Sequence, residues 1–259
     1  MRRVLWALVL AVPLTALARG NGVDWQRQVL RATGDGPPDV KASNPAQARL
    51  GAERSAKEDA FKDLLERAKG LRLRADRTVG EEMAREETRR KVEDVLRGYK
   101  VVDKHYYSDS GVQLEVEVPL GQLTSALVAP APTAAPVPVE AKKEAPAKKA
   151  EGKHSGLVVD ARKLELAPML APRLLDAAGQ PLYGVDTLSE EARRTTGVAS
   201  FVGSLEEARK STRVGSRPLV LEATRVQSSD VVLGPDAAKA LAGLEPGVLA
   251  EGRVAILIR

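Results

Sequence analysis

The sequence predicts an α+β protein in which helices pack on a small antiparallel sheet, followed by a second, mixed α/β module. Three observations carry this. Apolar residues recur at helical spacing between residues 44 and 99, and they alternate strictly from Val112 to Val118. Beyond a break rich in Pro, Ala and Lys, short Val- and Leu-rich runs alternate with capped helical segments.

Taken in order, the chain opens with MRRVLWALVLAVPLTALARG: two arginines, an apolar run from Val4 to Leu17, then Ala16-Leu17-Ala18. Residues 1–18 read as a secretory signal cut after Ala18. The run is shorter than the roughly 20 residues that span a bilayer core, and nothing comparable follows, so no transmembrane segment is expected after cleavage.

Residues 23–128 form the first expected domain. WQRQVLRATGDGPP is a short strand run ending in turn chemistry at Gly34, Gly36, Pro37 and Pro38. Asn44-Pro45, with Gln47 where a capping box wants it, starts a helix that runs to about Lys69. Ala48, Ala52, Ala56, Ala60, Leu64 and Ala68 repeat every four residues along it, with Leu50, Phe61 and Leu65 widening the stripe, a ridge of small side chains that permits close approach. Thr78 with Glu81 starts a second helix, whose narrower apolar face is Met83, Thr88, Val92, Val95, Leu96 and Tyr99 and which ends at Gly98. Its charged remainder reads as a solvated face laced with i,i+4 pairs. VVDKHYY and VQLEVEV, joined by Ser108-Asp109-Ser110-Gly111, make an antiparallel hairpin.

Residues 129–153 cannot form a core, because Pro, Ala and Lys make up 18 of the 25 positions. They read as a linker, stiff and extended in the first half and solvated in the second. Residues 154–259 form the second domain. GLVVDA is a strand, PRLLDAAGQPLYG a hairpin turning at Ala177–Gln180, and VASFV a strand between helices starting at Ser189 and Ser204. PLVLEATRV, DVVLG, a helix over Pro235–Ala242 and RVAILIR complete it. The last strand is apolar on both faces and belongs inside the sheet.

The chemistry available is narrow. Cysteine is absent, which excludes disulfides, thiolate metal sites and a lipid-bearing cysteine, and the only histidines are His105 and His154. Lys+Arg number 40 against 35 Asp+Glu, and loss of Arg2 and Arg3 would reduce the formal charge from +5 to +3. With 3% aromatic residues and a near-balanced exported chain, nucleic-acid binding is not expected. ATGDG leads into two prolines, not a helix start, so no nucleotide-phosphate site is expected and no cofactor or metal is implied.

Three residues remain as candidate partner contacts. Asp160 and Arg162 lie two apart at a strand and project from one face, where they form either an ion pair or a joint ligand site. Trp25 either stacks on a ligand ring or anchors the core. His105 has Asp103 on its own face, but no nucleophile motif accompanies it. No catalytic residue is assigned.

VDWQRQVLRATGDGPP, the Ala-rich helix AQARLGAERSAKEDAFKDLLERAKGLRL, a second helix, VVDKHYYSDSGVQLEVEVPL and a short LGQL together resemble a bacterial envelope family. That family contains the 20-kilodalton outer-membrane lipoprotein and the N-terminal domain of flagellar assembly protein T. The similarity covers about residues 23–127. GLVVDAR with PRLLDAAGQPLYG looks like the carboxyl-terminal part of some relatives. The resemblance implies a helix-on-sheet envelope module without catalysis, which in some relatives builds a ring around the flagellar basal body. Lipoprotein members carry a cysteine after the signal; this chain has none, so lipid anchoring is not carried over.

The expectation is a non-enzymatic protein of the periplasm or envelope, or a secreted one, acting through contacts with envelope proteins, with peptidoglycan as a further candidate partner. The alternative is a peptidoglycan hydrolase that uses Asp160 and another acid, or a peptidoglycan-binding module that uses the linker lysines.

Overall fold

The computed structural model describes residues 22–74, 77–128 and 154–259. The signal segment expected at 1–18 and the linker expected at 129–153 lie outside the described residues.

The first half is built on a four-stranded antiparallel sheet. Its strands are β1 (Val23–Asp24), β2 (Val29–Gly36), β5 (Lys100–Tyr106) and β6 (Val112–Pro119), in the order β1-β2-β6-β5. Helix α1 (Pro45–Lys69) lies across it, capped by the Asn44 side chain, which accepts from the Gln47 N–H at 2.9 Å. Its ridge is fully buried at Ala52, Ala56, Ala60, Leu64 and Ala68, and Phe61 and Leu65 pack at its margin, but Leu50 does not widen the stripe: it is exposed, two residues off the ridge and turned away from the sheet. The strand facing it supplies no side chains at two positions. A Cβ on Gly34 would sit 2.1 Å from the Ala56 carbonyl oxygen, and one on Gly36 would sit 1.8 Å from that of Ala52. These glycines are not turn residues, as their sequence neighbours suggest. They continue β2 and let helix and strand backbones touch.

A small ribbon follows α1, made of β3 (Arg72–Arg74) and β4 (Arg77–Thr78). The expected second helix is two helices: α2 (Val79–Glu82), held by a complete Thr78/Glu81 capping box, and α3 (Glu86–Arg97). The chain leaves helical geometry between them, since Arg85 is extended at ψ 123°. Glu82, the last residue of α2, is buried where Arg77 of β4 (3.1 Å) and Arg85 at i+3 both reach its carboxylate. A buried carboxylate needs such partners. The hairpin β5–β6 forms as the alternation requires. Helix α4 (Leu120–Leu127), of which the sequence marks only the short LGQL, continues from β6 and buries Leu120, Leu123 and Thr124.

The second half is a mixed seven-stranded sheet, confirming the two-part α+β class. Its strands are β7 (Leu157–Asp160), β8 (Leu174–Leu175), β9 (Pro181–Tyr183), β10 (Ser200–Val202), β11 (Leu219–Gln227), β12 (Asp230–Leu233) and β13 (Val254–Leu257). The order is β10-β13-β7-β11-β12-β8-β9; β10, β13, β7 and β11 run parallel to one another. Helices α5 (Glu190–Thr195), α6 (Leu205–Lys210), α7 (Pro235–Ala242) and α8 (Pro246–Ala250) connect them, α5 and α6 capped by Ser189 and Ser204. The final strand β13 is interior and buried at every position, because its two faces pack into different clusters. Val254 and Ile256 join the main core, while Ala255 and Leu257 join Val158, Val202, Ala208 and Val214 beneath α6.

That main core is continuous across both halves, running from Leu30 and Leu114 through Leu120 and Leu123 to Val159 and Ile256. Three clasps hold the halves together. Leu170 and Ala171 donate N–H bonds to the carbonyls of Arg72 and Leu73 at 2.9 and 3.0 Å, adding a strand-like segment to the β3–β4 ribbon. Helix α4 packs on α5 so closely that a Cβ on Gly121 would stand 2.7 Å from the Arg194 carbonyl oxygen. The Phe201 N–H of edge strand β10 donates to the Trp25 carbonyl at 3.1 Å.

Candidate functional site

Asp160 ends β7, level with Leu257 at the end of parallel β13 and with Glu222 within parallel β11, which runs on to Gln227. Arg162 folds straight back onto it. The guanidinium donates from Nε to Oδ1 at 3.0 Å and from Nη2 to Oδ2 at 2.6 Å, and the Arg162 N–H adds a bond to Oδ1 at 3.1 Å. Hydrogen bonding from Arg162 holds the Asp160 carboxyl below its usual range. Lys163 and Glu222 pair beside them at 2.6 Å. The arrangement is a closed, bidentate fork in which each partner occupies the other. An incoming ligand competes with it before it can use either group.

Trp25 is elsewhere. It sits in the turn between β1 and β2, partly buried, with its ring edge-on to Phe201 at a centroid distance of 5.8 Å. Beside it, Gln28 is buried in left-handed geometry (φ 56°), donates from Nε2 to the Trp25 carbonyl at 2.9 Å, and accepts the Leu120 N–H at its own carbonyl at 2.8 Å. Strain of this kind survives where the surroundings enforce it. Here they enforce the seam between the halves. Trp25 therefore makes contact inside the chain, and the structure does not bring it into one site with Asp160 and Arg162. His105 lies exposed on β5, edge-on to Tyr107 at 4.7 Å. Among the described residues, no group of three or more His, Asp or Glu is placed to hold a metal ion, and no helix is long and apolar enough to cross a membrane.

Two features are not evident from the sequence. The first is the open edge of the antiparallel sheet. Every residue of β5 is exposed, and Val101, Val102, Tyr106 and Tyr107 are four of the seven large exposed apolar side chains among the described residues. The Tyr106 ring lies under the Arg49 guanidinium at 5.2 Å and near the Lys104 ammonium at 5.8 Å, and Lys104 pairs with Glu53 of α1 at 2.6 Å. The signal for it is in VVDKHYY, whose apolar residues do not alternate cleanly and so belong to no single buried face.

The second is a pair of adjoining clefts, about 420 and 480 Å³, that share Thr195, Thr196, Thr212 and Arg213; the larger also takes in Gln26 and Arg27 and so opens on the seam. Arg213 is the fixed point between them. Its Nε donates to the Gly252 carbonyl at 2.8 Å, while Nη1 and Nη2 donate to the carbonyls of Thr196 and Gly197, just past the end of α5, each at 2.7 Å. Burial lowers its pKa to about 10, which leaves it charged at neutral pH. Nothing in the sequence around Arg213 announces this, since all three carbonyls come from distant segments.

No curated protein matches the chain. Residues 156–259, the stretch that carries the whole seven-stranded sheet, match the family model described as Treponema pallidum Tp0624, second domain.

Proposed function

We propose that this chain is a non-enzymatic protein of the cell envelope, exported by its N-terminal segment, that acts through protein–protein contacts in envelope or flagellar-type assembly. The observation that carries the reading is the gathering of exposed apolar side chains on the open strand β5. An open edge flanked by exposed apolar side chains recruits an extended segment by strand addition. Lys100 forms no ion pair among the described residues, so an acidic, β-branched segment of another envelope protein suits this edge. The resemblance of residues 23–127 to an envelope family supports the same reading, as does the self-occupied Asp160–Arg162 fork.

Photo-crosslinking in cells tests it. A crosslinking amino acid at Tyr107 is expected to trap a defined envelope protein, while the same group at Val40, exposed on the loop between β2 and α1, traps none. Failure to trap any partner at Tyr107 across growth conditions removes the proposal. The hydrolase alternative predicts that purified protein digests peptidoglycan and that Asp160→Asn abolishes digestion; an inert wild type, with or without added metal, removes that alternative.

A further inference from the structure

We propose that the larger of these two clefts, the one that opens on the seam, is a binding site for a small molecule carrying a carboxylate or phosphate. The site is separate from the β5 edge and does not depend on what that edge binds. Its walls include Arg27, from the turn of the first half, and Thr195, Thr196, Ser211, Thr212 and Arg213 from the second. At about 480 Å³ it falls within the size range of small-molecule sites, which favour seams between structural units.

The charge balance points to the ligand's sign. No acidic side chain lines this cleft. Neither Arg27 nor Arg213 has a carboxylate within ion-pair distance among the described residues, although Asp24 stands beside the turn and accepts the Arg27 backbone N–H at 2.8 Å. The smaller cleft, on the other side of the shared residues, does carry Glu191 and Glu251, and Glu251 is paired with Arg253 at 2.6 Å. An anion is therefore favoured on the Arg27 side only. Arg213 is buried with carbonyl dipoles as its hydrogen-bond partners and no carboxylate, and the exposed Arg27 adds a second positive charge at the mouth, so the field in the cleft favours an anion.

The donors are also in place. A guanidinium has five N–H groups. Arg213 spends three on backbone carbonyls, which hold it rigid, and keeps two. The Ser211 hydroxyl accepts the Arg213 backbone N–H at 3.1 Å through its oxygen, leaving its hydrogen to donate, and the Thr212 hydroxyl has no partner among the described residues. Fixed donors around an open volume are the arrangement in which charge-assisted hydrogen bonds bind at low ordering cost.

Isothermal titration of the full chain with inorganic phosphate, glucuronate and glucose tests the site. Saturable binding of phosphate, glucuronate or both is expected, with none of glucose; which anion binds separates a phosphate ligand from a carboxylate one. Arg27→Gln is expected to weaken that binding about tenfold. Its thermal melt should stay unchanged, because Arg27 is exposed and packs in no core. Thr212→Val is expected to weaken binding a few-fold. The proposal is overturned if neither anion saturates by about 10 mM, if glucose binds as well as glucuronate, or if Arg27→Gln binds the anion as wild type does.

Discussion

The edge strands β5 and β10 lie at the borders of the two sheets and are finished in opposite ways. Strand β5 protects itself: a register shift between Val101 and Asp103 bends it, and Lys100, Asp103 and Lys104 line it with charge. Such devices discourage indiscriminate pairing while leaving the backbone accessible. Strand β10 carries none of them. Ser200, Phe201 and Val202 are all buried, and its outward face is closed by the Trp25 carbonyl and ring from the other half. The first half can therefore present a free edge to a partner, whereas the second half depends on the first to cover its own. This asymmetry makes the seam a structural requirement of the second sheet.

The largest effect is expected where the first half is seated. Gly36→Leu drives a side chain into the α1 backbone, where even the Cβ would be 1.8 Å from an oxygen, and should cost about 3 kcal/mol or more in chemical denaturation. Gly179→Ala is the control, since nothing stands within 4 Å of its added Cβ; its positive φ should cost only about 1 kcal/mol. If the Gly36 variant melts like the control, the helix–strand contact is not what holds this sheet.

Removing the cover from β10 comes next. Trp25→Ala should cost about 2 kcal/mol by loss of the partly buried ring and its edge-to-face contact. It should also release an apolar edge, seen as concentration-dependent association in sedimentation. A monomeric variant with an unaltered melt would mean that β10 needs no cover.

The smallest effect concerns β5 and its tie to α1. The Lys104 ammonium, by hydrogen bonding, holds the Glu53 carboxyl below its usual range. A carboxylate lowered in the folded state stabilises above its unfolded pKa, and that contribution is lost as pH falls through the folded value. Glu53→Gln should therefore cost at most about 0.5 kcal/mol at neutral pH, because the pair is partly exposed and screened. The difference should vanish in strong acid, and a deficit that persists there would show that the pair is not its source.

Much of this is legible in the residues. Caps at Asn44, Thr78, Ser189 and Ser204, the alanine ridge, the Val112–Val118 alternation and the two-faced last strand all appear where their local chemistry places them. Asp160 and Arg162 do pair, but not as two residues on one strand face: β7 ends at Asp160, and Arg162 reaches back to it from the turn that follows. The misreadings share one cause. Gly34 and Gly36 look like turn formers because their neighbours are Asp and Pro; what demands glycine there is a helix about 20 residues away in sequence. Glu82, at the end of α2, is buried against Arg77 of β4, a contact from outside the helix that helical periodicity does not record.

The local pattern of side chains was enough to decide which segments are helices or strands, which faces they bury, and that no thiol chemistry is possible, since capping, alternation and composition act over a few residues. The seam was decided only when the chain folded. Trp25 meeting Phe201, Gly121 admitting α5, and Arg213 gathering the carbonyls of Thr196, Gly197 and Gly252 all join residues far apart in sequence. Burial and hydrogen-bond satisfaction are properties of the assembled core, and no short stretch of sequence carries them.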